Sequence, residues 1–395
     1  MNRHLLLLAL CQGLFLTNNV TFIAINGLVG LSLAPSGWLA TLPVTGYVVG
    51  AALSAPMVSR LQARWGRQRS FRLGLVVAMV AALACAASVA VGSFWGLVAS
   101  TLVAGFYSAN AALYRFAGPE LVAPAFKARA ISWVLAGGIL GAFAGPNLAS
   151  FTRDVLPVPF AGAYLALAGV AAFGWVVMGF IRFPANEPAS GGADGSVAPG
   201  RGVRELMRQP AFAVAVAAGA LGYGVMNLLM AATPIAMQQC QHPFDRAALV
   251  LEWHVLAMFV PSFFTGHLIQ RFGTLPVMGV GAALNALCVA VALSGVDLMQ
   301  FLVALTVLGV GWNFLYVGAT TLLTESYRPE EKTRAQAAMD TAVFATMALS
   351  SFASGALITT QGWTLLNLGS LVPIAAVSLA LAWLAVSRRQ GSARP

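Results

Sequence analysis

Residues 120–130, ELVAPAFKARA, return as residues 325–335, ESYRPEEKTRA. Glu120, Lys127, Arg129 and Ala130 reappear at the same spacing as Glu325, Lys332, Arg334 and Ala335. Each copy stands between long apolar runs. A second echo lies upstream of each, where Arg64-Trp65-Gly66 becomes Arg271-Phe272-Gly273. The two echoes are displaced by nearly the same stretch of chain, so the sequence reads as two similar halves in tandem.

Composition says what those halves are dissolved in. Of 395 residues, 59% are hydrophobic and only 9% are charged, against roughly 25% charged in soluble domains. So few charges cannot cover a water-facing surface of this size, and lipid must cover most of it. Apolar runs of about 20 residues, each long enough to span a bilayer, fall near 5–30, 38–59, 71–92, 94–117, 130–151, 159–182, 210–237, 246–269, 274–295, 298–323, 335–359 and 363–387. The expected fold is therefore an all-α integral membrane protein. Its twelve transmembrane helices form two pseudo-symmetric six-helix bundles, over 1–183 and 210–388. A linker with Pro/Gly/Ser composition (184–209) and a short tail (389–395) complete the chain.

The formal charge of +10 would suggest nucleic acid if its arginines formed one patch. They fall instead in short bursts between apolar runs, and a nucleic-acid partner is not expected. With the N-terminus inside, 20 of the 22 basic residues lie at cytoplasmic ends and loops, and only Arg153 and Arg246 lie outside. Positive-inside bias then puts both termini in the cytoplasm of a bacterial inner membrane. Four cysteines give no disulfide framework. The first apolar run is too long for a cleaved signal peptide and is expected to be retained. No phosphate loop, nucleophile–base order or paired carboxylates appear, so neither an enzyme nor a resident cofactor is expected, and nothing requires more than a monomer in lipid.

Ser59-Arg60-Leu61-Gln62-Ala63-Arg64-Trp65-Gly66-Arg67-Gln68-Arg69 resembles the loop signature of the major facilitator superfamily (Gly-x3-Asp-Arg-x-Gly-Arg-Arg), with Ser59 for the leading glycine and Ala63 for the acid. The second copy, Gly266 to Gly273, keeps both glycines and Arg271 but has Gln270 for the acid. This resemblance implies two parallel six-helix repeats that alternate access by rocking. The lost acids remove the carboxylate that a charge relay from that loop would use. Asp340 reads either as a replacement partner for Arg64 or Arg67 or as a capped charge near a membrane face.

Polar groups inside the spans mark sites for chemistry, because each is costly unless it meets a cavity or partner. Span seven carries Met226-x3-Met230 and span eight His254-x3-Met258, each pair one helical turn apart on one face. The spans form an antiparallel hairpin. Met226 with Met258, and Met230 with His254, share a midpoint at residue 242 in the outer loop, so the pairs make two levels roughly 6 Å apart at 1.5 Å per residue. Met237 and Cys240 continue the span-seven stripe outward, and His242 completes a Cys-x-His. Methionine pairs are also ordinary core filler. As a set, thioether, thiol and imidazole select Cu(I), while thioethers argue against zinc. At these residues the sequence resembles the CcoA-type copper importers, a facilitator branch marked by the same two motifs. That resemblance implies copper import that supplies cytochrome oxidase assembly, with Met226, Met230, His254 and Met258 as the motif residues and Cys240 where the family has a cysteine. The stripe and the Cys-x-His add the expectation that Cys240, with Met237 and His242, forms an outer capture point. The same branch includes relatives thought to carry riboflavin.

A second expectation is a small organic substrate such as riboflavin or a drug, which could exchange for protons. Asn18, Asn19, Tyr107, Asn110, Tyr223, Asn227, Trp312, Asn313 and Tyr316 lie near mid-membrane and could line a pocket for a ring system, or the asparagines could simply join helices. Gly138-x2-Gly141-x3-Gly145-Pro146 partly resembles an antiporter signature, but small residues at this spacing also signal close helix packing. Glu252 lies well round the helix from His254 and reads as either an interface residue or a carrier of a coupling proton.

Overall fold

The computed structural model describes residues 2–123, 126–184, 201–328 and 331–392. Most of the expected linker, 185–200, and the last residues of the tail lie outside them. Helices follow the apolar runs: α1 (Arg3–Leu33), α2 (Leu42–Trp65), α3 (Arg67–Ala90), α4 (Phe94–Ala111), α5 (Lys127–Thr152), α6 (Ala161–Gly179) and α7 (Pro210–Gln239). After these come α8 (Phe244–Phe259), α9 (Ser262–Phe272), α10 (Thr274–Leu293), α11 (Leu298–Thr324), α12 (Lys332–Thr360) and α13 (Gly362–Ser392). Among the described residues ten spans are long and apolar enough to cross a membrane, and α8 with α9 makes an eleventh. The remaining expected span is α5, 26 residues long.

The eighth span is not one straight helix. α8 and α9 meet at a 43° bend, where Pro261 lacks the N–H that would continue the ladder. Helix α13 runs through Ser392, so the first residues expected as tail are helical.

Contacts divide the chain into one unit of residues 1–191 with Pro234–Glu252 and another of 192–233 with Trp253 to residue 395. In the first, α1 packs on α5, α2 on α4, and α3 on both α4 and α6. The glycine series of α5 is the seam with α1. A Cβ on Gly138 would run into the Leu16 side chain, and one on Gly141 would stand 2.6 Å from the Thr17 nitrogen. Only hydrogen fits there, which is the packing reading of those glycines. In the second unit α10 packs on α11 and α13.

The sequence repeat has a structural counterpart. Gly66 and Gly273 end α2 and α9 with φ of 78° and 90°, a left-handed turn that favours glycine. The residue after each meets the repeated glutamate. Arg67 donates to Glu120 through Nε at 2.7 Å, and Thr274 Oγ1 donates to Glu325 at 3.2 Å. Arg67 is thus engaged within its own half, by Glu120 and by Gln62 at 2.8 Å.

The described end of the linker is held to the second unit. Glu331, whose side chain has no exposed surface, accepts from Arg201 Nε at 2.7 Å, Arg201 Nη2 at 2.8 Å, and the backbone N–H groups of Arg201 and Arg328, both at 2.9 Å. Hydrogen bonds from Arg201 hold the Glu331 carboxyl below the usual carboxylate range, and the same pair raises the guanidinium.

Candidate substrate site

The seven proposed metal ligands fall into two groups. Met226, Met230, His254 and Met258 belong to the second unit, whereas Met237, Cys240 and His242 belong to the first. Met226, Met230, Met237, His254 and Met258 are all buried, and Cys240 and His242 are half-buried. Burial pushes the Cys240 thiol up, which disfavours the thiolate that a soft metal binds best. Among the described residues no three or more His, Cys, Asp or Glu side chains gather as a metal site. A copper site would therefore depend on thioethers and His254.

His254 is positioned by α11. Its Nδ1 lies 2.7 Å from the Leu305 carbonyl. A carbonyl can only accept, so Nδ1 carries the proton and the buried Nε2, which has no partner, presents a lone pair. Gly309 lets the helices approach this closely, because a Cβ there would stand 2.6 Å from the His254 carbonyl oxygen. Four residues on, Asn313 holds the α8–α9 bend. Its Nδ2 donates to the Met258 carbonyl at 2.7 Å and Ser262 Oγ at 2.6 Å, and its Oδ1 accepts from Thr265.

Most of the asparagines named as pocket candidates are used up in joining helices. Asn227 Nδ2 donates to the Met347 carbonyl, Ser350 and Ser351 at 2.8–3.1 Å. Asn18 bonds the Leu14 carbonyl of its own helix, and Asn19 donates to the Tyr47 hydroxyl at 3.1 Å. Asn110, in the first unit, keeps both amide atoms buried without a partner, and Tyr107 packs edge-on to Phe15.

The aromatic candidates of the second unit converge. Trp312 stacks on Tyr316 with centroids 5.2 Å apart and planes 10° from parallel. Tyr223 of α7 meets both edge-on, at 5.2 and 5.4 Å, and Phe259 approaches Trp312 at 6.2 Å. Indole Nε1–H of Trp312 is buried and unpartnered, although buried tryptophans usually find an acceptor. Tyr223 and Tyr316 are half-buried. The cluster thus brings three aromatic rings together beside one buried, unused donor.

The chain is 38% identical to the riboflavin transporter RfnT of Brucella anthropi over 366 residues, covering 92% of this chain and 91% of that protein. It is 26% identical to YddS of Bacillus subtilis, an uncharacterised MFS-type transporter, over 89% of this chain and 83% of that one. Its fold matches the crystal structure of the nucleoside transporter NupG with a TM-score of 0.75 at 13% identity, covering 96% and 98% of the two chains. With residues 5–253 and 216–395 both matching the pattern of the Major Facilitator Superfamily, this multi-pass membrane protein belongs to that superfamily of transporters.

Proposed function

We propose that this protein carries a ring-bearing small molecule, riboflavin or a close analogue, across the bacterial inner membrane by alternating access. The likeness to RfnT along nearly the whole chain carries this reading. The Tyr223–Trp312–Tyr316 cluster supplies its chemistry, with π-faces for an isoalloxazine ring and the Trp312 N–H for a ring carbonyl. The arginine distribution supports cytoplasmic termini.

Copper is the second reading, and His254 is the observation that favours it. An imidazole whose Nδ1–H is pinned to a carbonyl while Nε2 stays free has the arrangement of a metal-binding histidine. The two readings separate in one experiment. Cells lacking their own riboflavin synthesis, with and without this chain, are given labelled riboflavin and, separately, labelled copper. Riboflavin accumulation that depends on the chain, with copper unchanged, is expected. Copper accumulation without riboflavin uptake would reverse the assignment.

A further inference from the structure

Gln68 makes a contact that the tandem repeat does not share. It stands where the loop signature has its last arginine, and its Nε2 donates to the carbonyls of Ile181 at 2.6 Å, Gly179 at 3.1 Å and Met178 at 3.3 Å. These belong to the end of α6, where a helix leaves carbonyls without intrahelical partners. One turn along α3, Arg72 lays its guanidinium over the Trp175 ring of α6, 3.8 Å from the centroid. Arg72 is half-buried, and its buried Nε has no partner. Numbers rise along α3 as they fall along α6, so the two helices meet antiparallel, with Arg72 and Trp175 at one depth.

The positive charges gathered here lack counter-ions. Among the described residues Arg67 has Glu120, whereas no carboxylate pairs with Arg69, Arg72 or Arg182. Arg69 lies one turn before Arg72 on the same face, and Arg182 follows the Ile181 carbonyl that Gln68 holds; both are exposed. Gln68 also occupies the helix-end carbonyls that would repel an anion beside these guanidinium groups. Val76 and Val80, both exposed, continue the Arg69–Arg72 stripe at spacings of four, and Phe173 of α6 is exposed as well. An apolar stripe headed by unpaired arginines and a tryptophan matches the profile of one phospholipid, with its acyl chain along the stripe and its phosphate at the head.

The fold itself does not require this set. With Gly66 and Gly273 in register, Gln68, Arg69 and Arg72 correspond to Leu275, Pro276 and Gly279. A Cβ on Gly279 meets nothing within 4 Å. The second half makes the matching helix without any of the three polar groups.

We propose that Arg69, Arg72 and Arg182 hold the phosphate of an anionic phospholipid in the inner leaflet, with Trp175 fixing the Arg72 guanidinium by cation–π contact. The leaflet follows from the arginine distribution, and the site is independent of the cargo.

The full chain in mild detergent, titrated with phosphatidylglycerol, phosphatidylcholine or inorganic phosphate, tests this, with native mass spectrometry counting bound lipid. One phosphatidylglycerol should bind in preference to phosphatidylcholine and resist excess inorganic phosphate. Arg69→Gln and Arg182→Gln, both at exposed positions, should each weaken its binding about five-fold, the effect of one basic residue at an anionic membrane surface. Arg208→Gln removes the same charge from an exposed position of the second unit and should leave binding unchanged. No preference for phosphatidylglycerol, or an equal loss in all three variants, overturns the site. Displacement by inorganic phosphate at the lipid's own concentration overturns the lipid assignment. Unfolding temperature is the second readout. Phosphatidylglycerol should raise it in the wild type and raise it less in the Arg69→Gln, Arg182→Gln double variant, and equal rises would also overturn the proposal.

Discussion

Gly309→Ala tests whether close contact between α8 and α11 sets the imidazole. The added Cβ would stand 2.6 Å from the His254 carbonyl oxygen, 2.9 Å from Ala257 Cβ and 3.1 Å from the Ala257 carbonyl carbon. Two of those atoms are backbone and cannot rotate aside. Since ordinary contact begins near 3.4 Å, α8 must retreat by about 0.8 Å for the carbon to fit. The same retreat stretches the 2.7 Å bond from Nδ1 to the Leu305 carbonyl towards the limit of a hydrogen bond. Overpacking of this kind costs about 1–3 kcal/mol, and the weakened hydrogen bond adds on the order of 1 kcal/mol.

Gly279→Ala is the control, because a Cβ there meets nothing within 4 Å. It should be neutral or stabilising by up to about 1 kcal/mol, since alanine favours helix over glycine. Thermal unfolding of the purified proteins and uptake at equal membrane abundance are the readouts. Gly309→Ala should unfold at a clearly lower temperature than Gly279→Ala and transport more slowly. Equal unfolding temperatures with equal uptake would refute the claim that α8 and α11 depend on this approach.

Two other perturbations address the ring cluster and the linker. Trp312→Ala removes aromatic contacts worth about 0.5–1.5 kcal/mol per pair, so the half-saturating riboflavin concentration should rise by roughly two- to tenfold or more. Trp312→Phe keeps a ring and should lose less, and unchanged uptake kinetics in both variants would sink the ring-binding reading. Glu331→Gln should lower the unfolding temperature at neutral pH. The native Glu331 carboxyl titrates below its ordinary value, so its contribution is fully present above the usual carboxylate pKa and lost as pH falls below it. The gap between wild type and Glu331→Gln should therefore be constant from pH 8 to about 5 and narrow only at lower pH; a gap that narrows as pH rises would contradict the sign.

The apolar runs made the helices legible, because each is long enough to cross lipid and is bounded by arginine bursts. The eighth span was expected as one run, 246–269, and its bend at Pro261 is held by Asn313, which lies far away in sequence. Glu252 shows the limit of reading one helix at a time. Its angle from His254 correctly sends the two side chains to different neighbours, but nothing in span eight names Asn147 as the partner. The Met/His motifs were visible as costly polar groups without disclosing a cargo. Four side chains at two short spacings fit soft-metal chemistry, but a branch that includes both copper and riboflavin carriers can share them. Trp312, Tyr316 and Tyr223 were legible only as separate pocket candidates, and Tyr223 joins the other two only when α7 meets α11.

The candidate site features of the second unit trace back to one stripe of α11. Leu305, Gly309, Trp312 and Tyr316 recur at intervals of four, three and four residues, which keeps them within a narrow arc of a helix turning 100° per residue. Leu305 fixes the imidazole tautomer and Gly309 sets the approach to α8. Trp312 and Tyr316 form the stacked pair, while Asn313, at the edge of the arc, holds the α8–α9 bend. A shift or rotation of α11 would therefore reach the free Nε2 of His254, the bend after Met258 and the aromatic faces together. The imidazole and the ring cluster are thus mechanically joined whichever one touches the cargo. Substitutions at His254 that impair riboflavin uptake would not by themselves reveal a metal. Copper accumulation measured directly discriminates between the readings, and a His254 phenotype does not.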